Sequence, residues 1–432
     1  MPLVNIEHFI ANRIAFSQGK SFTRTIIRFT IASVALSIAV IILTSAVITG
    51  FKNEITEKIF GFWGHIDVTH NTIRRNFEAV PFDQHAAFVD SIRAIEQVTI
   101  ERYSEDATGL PELTTAETGI KHVQAICLSP GIIKTKTDFE SIIVKGIGRD
   151  FDWSNLESFI LDGRRIEFAE SGASDDILIS EVTARRLSLE VGQSIIVTLF
   201  KNRDQIQRKF TISGIYKTGL EEYDKRFALA DMREIQNVFG WEDNQVMGLE
   251  VFVDDIDDLE LMNEYVNHYI LPHYMYSETV RRKFPWIFGW LDLQNINEYV
   301  ILILMTVVTI INMITGLLIL ILERTQMIGV LKAIGCSNWS IRKIFLYQAI
   351  KIIKWGLIIG NAAGLIICFI QAKFKIIKLN EDNYYLSSAP IEVDPLRIIL
   401  LNMAVVLIIL LFLVIPTYLI SRISPVKVLH FK

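Results

Sequence analysis

The feature that most limits the fold is a run of 24 residues, Tyr299–Leu322, without one charged side chain. As a helix it is about 36 Å long, enough to cross the ~30 Å hydrocarbon layer of a bilayer. Phe29–Ile48 offers 20 uncharged residues and Ile398–Ile420 offers 23. Trp355–Ile370 has only 16. It spans if its helix starts earlier, near Ile344, with Lys351 and Lys354 snorkelling to the interface. Hydrophobic residues make up 51% of the 432, more than a soluble two-domain chain averages. The first run is too long for a signal peptide, 28 residues precede it and no A-x-A site follows, so it reads as an anchor.

The expected architecture is an α-helical membrane protein with four transmembrane helices and a large α+β extracytoplasmic domain. The spans are expected at 26–50, 298–322, 344–371 and 397–421. An amphipathic elbow helix (1–25) precedes the first span, with Ile6, Phe9, Ile10 and Ile14 on one face. Residues 51–297 form the exported domain with stalk ends, 323–343 a cytoplasmic loop, 372–396 a short outer loop and 422–432 a cytoplasmic tail.

Charge separates these regions. Phe51–Glu298 carries 26 Lys and Arg against 42 Asp and Glu, whereas the remainder is basic. The short segments at both ends and between the second and third spans hold 13 basic residues against Glu7 and Glu323. The excess of positive charge places both termini and the middle loop in the cytoplasm.

Within the domain, strand-like alternation marks His65–Thr69, Val123–Leu128, Ile142–Ile147, Ile195–Phe200, Lys209–Tyr216, Arg226–Ala230 and Gly248–Val253. Helical spacing marks Phe82–Ile95, Glu181–Leu187, Met232–Phe239 and Asp257–Tyr269. Strands and helices in no βαβ rhythm point to α+β. No GxSxG, HExxH, EF-hand loop or GxGxxG follows the required context, so no catalytic residue is assigned. Asp254, Asp255, Asp257 and Asp258 lack the spacing of a calcium loop and read as a solvated turn. The histidines are scattered, and Cys127, Cys336 and Cys368 fall in three separate regions. No metal site or disulfide is therefore expected, and Cys127 reads as a buried free thiol.

Between the second and third spans lies Glu323-Arg324-Thr325-Gln326-Met327-Ile328-Gly329-Val330-Leu331-Lys332-Ala333-Ile334-Gly335. Met327, Val330, Leu331 and Ile334 share one face at helical spacing, and Gly329 and Gly335 permit close approach or a break. Such a helix fits either a lipid surface or a groove on a cytoplasmic partner.

ERTQMIGVLKAIGCSNWSIRKIFLYQA resembles the signature of FtsX-like and MacB-like ABC transporter permeases, and ISRISPVKVLHFK is similar to their C-terminal pattern. FIANRIAF, VITGFKNEITEKIFGFWGHIDV, ILISEVTARRLSLEVGQSIIVTL and ISGIYKTGLEEYDKRFALADMREIQ extend the likeness along the chain, most closely toward the lipoprotein-releasing LolC/LolE permeases. The resemblance implies a MacB-like periplasmic core domain in a cell inner-membrane permease, working as a homodimer or with a paralogous permease. It implies extraction of lipoproteins, passage of their acyl chains between the first two spans, and hand-off to a periplasmic carrier. Glu323, Arg324, Met327, Gly329, Val330, Leu331, Lys332, Ile334 and Gly335 would then form the coupling interface with a cytoplasmic ABC ATPase. No GxxxxGK occurs, so the chain is expected to bind no cofactor itself, ATP being held by that partner. Membrane lipid is an expected partner and nucleic acid is not. FtsX-type signal transmission to a periplasmic partner and MacB-like export remain alternatives. The hairpin that relatives extend as a hook for the carrier corresponds to a short stretch here, Lys201–Gln207.

Overall fold

A computed structural model of the chain describes residues 21–72, 80–105, 111–135, 138–154, 156–201 and 204–418. The expected elbow before Ser21 and the C-terminal tail lie outside the described residues. The α-helices of seven residues or more among the described residues are α1 (Ser21–Trp63), α2 (Ala87–Arg93), α3 (Glu181–Leu187), α4 (Met232–Phe239), α5 (Leu259–Tyr265), α6 (Pro285–Glu323), α7 (Thr325–Ala333), α8 (Asn338–Phe374) and α9 (Pro395–Thr417). Among the described residues one unit comprises 21–53, 290–378 and 388–418, and a second comprises 54–289 and 379–387.

Four helices, α1, α6, α8 and α9, are long and apolar enough to cross a membrane. Three are longer than their uncharged runs require. Residues 21–25, expected in the elbow, are the first turn of α1, and α8 begins at Asn338 rather than 344. In the helical unit α1 packs closely on both α6 and α8, and small residues set the spacing. A Cβ at Gly356 would sit 2.5 Å from Val34 Cγ1, and one at Gly360 would sit 2.7 Å from the Ala35 carbonyl oxygen. A Cβ at Gly316 of α6 would likewise meet Thr30 Oγ1 at 2.5 Å. Backbones approach this closely only where side chains are absent, and dispersion then holds the helices together.

Polar pairs pin the same unit. Asn312 Nδ2 donates to Ser33 Oγ, and Asn402 Nδ2 donates to Asn361 Oδ1 at 2.8 Å. Near the start of α9, Arg397 pairs with Glu298 at 2.6 Å and donates to Thr49 Oγ1 at 2.7 Å. Asp394 caps α9 by accepting from the Leu396 amide at 2.9 Å, with Pro395 in the first turn, where its missing N–H costs nothing.

The second unit is built on β1 (Ile66–His70), β2 (Phe82–Asp83), β3 (Val98–Glu105), β4 (Pro111–Thr118), β5 (Ile120–Lys134), β6 (Phe139–Ile147), β7 (Ile160–Gly163), β8 (Asp176–Ser180), β9 (Ser194–Lys201), β10 (Asp204–Tyr216), β11 (Phe227–Asp231), β12 (Gln245–Val246), β13 (Gly248–Val253) and β14 (Met275–Thr279). Ten strands form one mixed sheet, in which β6–β11 and β8–β10 are parallel. The 15-residue β5 pairs with β13 over its first half and with β9 at its end. The pairings β5–β6–β11–β8–β10–β9 therefore return to β5 and close a six-stranded ring. Closure removes sheet edges that would otherwise invite pairing.

Local chemistry explains the best-defined helices. Ser180 Oγ accepts from the Thr183 amide to start α3, and Asp231 accepts from the Arg233 amide to start α4. Gly240 at φ +69° ends α4 in the left-handed region. The helix expected over Phe82–Ile95 is shorter, because Phe82–Asp83 pairs as a strand with β12 and α2 starts only at Ala87. The β9 and β10 strands pair as far as Lys201↔Asp204, beyond the expected strand ends at Phe200 and near Arg208. Cys127 is fully buried, and burial pushes its thiol up to about 12.

Residues 379–387, expected as part of a plain connecting loop, dock on the globular unit. Lys217 Nζ reaches Glu381 at 2.6 Å and Glu181 at 3.3 Å, and Lys58 Nζ donates to the Tyr385 carbonyl at 3.3 Å. Glu381 and Glu181 together hold the Lys217 ammonium above its ordinary range.

Candidate functional site

The segment singled out in the sequence is a separate short helix. α6 stops at Glu323, Arg324 leaves helical geometry, and α7 runs over Thr325–Ala333. Gly335 at φ +94° turns the chain, and Ser337 Oγ accepts from the Ser340 amide at 3.1 Å to start α8. All nine predicted interface residues are brought together on this turn-helix-turn, yet they do not form one face. Ile328 and Gly329 are buried, and Met327 and Leu331 pack half-buried against the apolar cluster that holds Ile328 together with residues of α1, α6, α8 and α9. Val330 is 50% exposed, Ile334 is 72% exposed and Gly335 is exposed. Glu323, Arg324 and Lys332 are half-buried.

The expected common face of Met327, Val330, Leu331 and Ile334 is thus divided. The cause is angular: at about 100° per residue those four span an arc of roughly 100°, and Ile328 lies beyond its edge on the Leu331 side. The bundle takes the Ile328 side of the arc, leaving Val330 and Ile334 outward. Trp339, 58% exposed at the start of α8, adds a third large apolar group at this end of the helical unit.

A second constellation, missed in the sequence, sits in the globular unit where α1 ends. Lys145, in the middle of β6, is fully buried and pairs with the equally buried Glu250 of β13 at 2.6 Å. Its ammonium also donates to the carbonyl oxygen of Phe62, in the last turn of α1. A cation there satisfies a carbonyl that the helix cannot and complements the negative end of its dipole. The rings of Phe62, Trp63 and Phe151 stand 4.8, 5.2 and 5.8 Å from the same nitrogen. Gln124 Nε2 donates to the other Glu250 oxygen at 2.7 Å. Burial pulls the Lys145 ammonium below its ordinary value, and Glu250 opposes that pull.

The same knot receives the start of α6. Phe284 packs on Trp63 at 5.6 Å and on Tyr223 at 5.4 Å, and Phe288 stacks on Phe60 at 5.8 Å. Lys283 pairs with Asp67 and lies 4.2 Å from the Trp63 ring centre. The two helices that enter the domain are therefore joined to its sheet through one aromatic and ionic cluster. A single Lys within Ile142–Ile147 and a single Glu within Gly248–Val253 were the available signal, since an unpaired charge cannot be buried at such positions.

His65 and His122, read as isolated, line one cavity of about 390 Å³ with Glu57, Lys121, Asp152 and Asp254. His65 Nδ1 accepts from the Val253 amide at 2.9 Å, and burial pulls the imidazole down to about 4. It is neutral at neutral pH. Among the described residues no three His, Cys, Asp or Glu side chains are grouped to hold a metal ion.

The model of the MacB-like periplasmic core domain matches residues 29–269, and that of the FtsX-like permease C-terminal region matches residues 299–425. The lipoprotein-releasing system transmembrane protein LolC of Xylella fastidiosa is 21% identical over 93% of both chains. The corresponding LolE of Haemophilus influenzae is 21% identical over 99% of both. The extracellular domain of the noncanonic ABC-type transporter YknZ covers 49% of this chain and 98% of its own. At 14% identity and a TM-score of 0.32 that likeness carries no argument. With the core-domain model extending over more than half its length and the permease model over its last long helices, the chain belongs to the FtsX-like and MacB-like family of ABC transporter permeases.

Proposed function

We propose that this permease extracts lipoproteins from the outer leaflet of the inner membrane for delivery toward the outer membrane, driven by a separate cytoplasmic ATPase. The observation that carries the reading is the likeness to LolC and LolE, which runs nearly end to end in both chains. In this account α7 is the coupling helix. Val330 and Ile334 dock on the ATPase subunit, while Ile328, Met327 and Leu331 pass its displacement into α6 and α8. The Lys145 cluster then makes the ends of α1 and α6 move with the sheet rather than slide on it. A second copy or a paralogue completes the transporter. With β9 and β10 paired as far as Lys201↔Asp204, a carrier hook would come from a paralogous partner.

The test is to purify the chain with its ATPase from native membranes and identify co-purifying molecules by mass spectrometry. Mature acylated lipoproteins are expected. A cell-wall hydrolase or an adaptor protein in their place would overturn extraction and move the function to signal transmission or export.

A further inference from the structure

On the flank of the α1–α8 contact, Arg28, Ile31 and Ala32 of α1 and Trp355 and Ile359 of α8 line a groove of about 390 Å³. The two helices run parallel, in a register set by their close contacts. Gly356 meets Val34, Gly360 meets Ile38 and Gly364 meets Ile42, one turn apart on both helices. Four of the five lining residues are apolar, and Arg28 stands as the one charged group. Arg28 is exposed and, among the described residues, its side chain makes no ion pair or hydrogen bond. One turn toward the N-terminus of each helix stand Arg24 and Lys351, by the four-residue spacing that aligns side chains on one face. Both walls of the groove therefore become basic at the same end, and no carboxylate lines it.

We propose that this groove holds an acyl chain of an anionic phospholipid whose phosphate pairs with Arg28. The inference rests on the reading that α1 and α8 cross a membrane, and not on the nature of the cargo. The chemistry fits at both ends. Ile31, Ala32 and Ile359 offer a surface for a hydrocarbon chain, and the half-exposed Trp355 has the amphipathic ring favoured at the lipid–water boundary. A guanidinium offers paired donors to phosphate oxygens, and a long side chain reaches the headgroup level from an apolar stem. Positive charge on both walls selects a headgroup of net negative charge over a zwitterionic one.

The full chain, stripped of lipid in detergent, is titrated with phosphatidylglycerol, phosphatidylcholine or inorganic phosphate, and bound lipid is counted by native mass spectrometry. Phosphatidylglycerol should be retained about tenfold better than phosphatidylcholine. Arg28→Gln should erase most of that preference, and Ala32→Phe should block both lipids by filling the groove. Equal retention of the two lipids overturns the proposal, as does binding unchanged by both substitutions. Displacement by inorganic phosphate alone would make this a free-anion site and overturns it too. So does phosphatidylglycerol binding that appears only once residues 1–20 are removed, which would give the groove to the chain's own N-terminus. The readout needs neither ATPase nor lipoprotein, so it is independent of the extraction assay.

Discussion

The two units of this chain use apolar residues in opposite ways. In the globular unit every residue of β8, β11 and β13 is buried, so an apolar run there marks core. In the helical unit only 17% of the most apolar window of α9 is buried, against half of that of α1. Hydrophobicity there marks the outward surface of helices long and apolar enough to cross a membrane, and the packed seam is written in Gly356, Gly360, Gly364 and Gly316. Charge follows the same division. The globular unit encloses Lys145 and Glu250 completely, whereas Arg397 of the helical unit stays 40% exposed while paired with Glu298.

The sharpest break of this contrast is Lys145→Met. It strands the Glu250 carboxylate in the core, which costs about 3–5 kcal/mol, whereas Lys145→Met with Glu250→Leu should recover most of the loss. Denaturation of the full chain in detergent, followed by tryptophan fluorescence, reads the difference. An unchanged midpoint in the single variant would show that the pair is not buried.

Acid should weaken the globular unit through His65. Its folded-state value of about 4 lies below the ordinary 6.5, so the unfolded chain takes up the proton first. The stabilisation is complete above about 6.5 and is lost as pH falls toward 4, up to roughly 3 kcal/mol. His65→Gln should flatten that slope in melts recorded from pH 7 to pH 4.5. A slope that persists would assign the acid sensitivity to another group.

In the helical unit, Gly360→Val should cost about 1–3 kcal/mol, because the new Cβ meets backbone and cannot be accommodated by a rotamer change. Leu407→Ala on the exposed side of α9 should stay within about 0.5 kcal/mol. Thermal melts of both variants in detergent would erase the contrast if the leucine proved the more costly.

These contrasts also explain what was legible in the sequence. The ends of α3 and α4 were, since Ser180, Asp231 and Gly240 are local stop and start signals. The long apolar helices were, because composition alone marks them. β3 and β4 were not, since Glu101, Arg102, Thr114 and Thr115 break the alternation that betrays a half-buried strand. The division of α7 into inner and outer halves depends on the core of the helical unit that Ile328 joins, and no local pattern contains that information. Lys145 and Glu250 were visible as lone charges in apolar strands, but their pairing needs β5 between β6 and β13.

The most direct test of the central claim is ATP-dependent release of an acylated lipoprotein from proteoliposomes containing this permease, its permease partner and the ATPase. Release should occur with the unaltered chain and fall at least tenfold with Val330→Asp or Ile334→Asp, two exposed changes that leave the helical core untouched. Release undiminished by both substitutions would contradict α7 as the site where the ATPase drives the permease, and no release from the unaltered chain would contradict extraction itself.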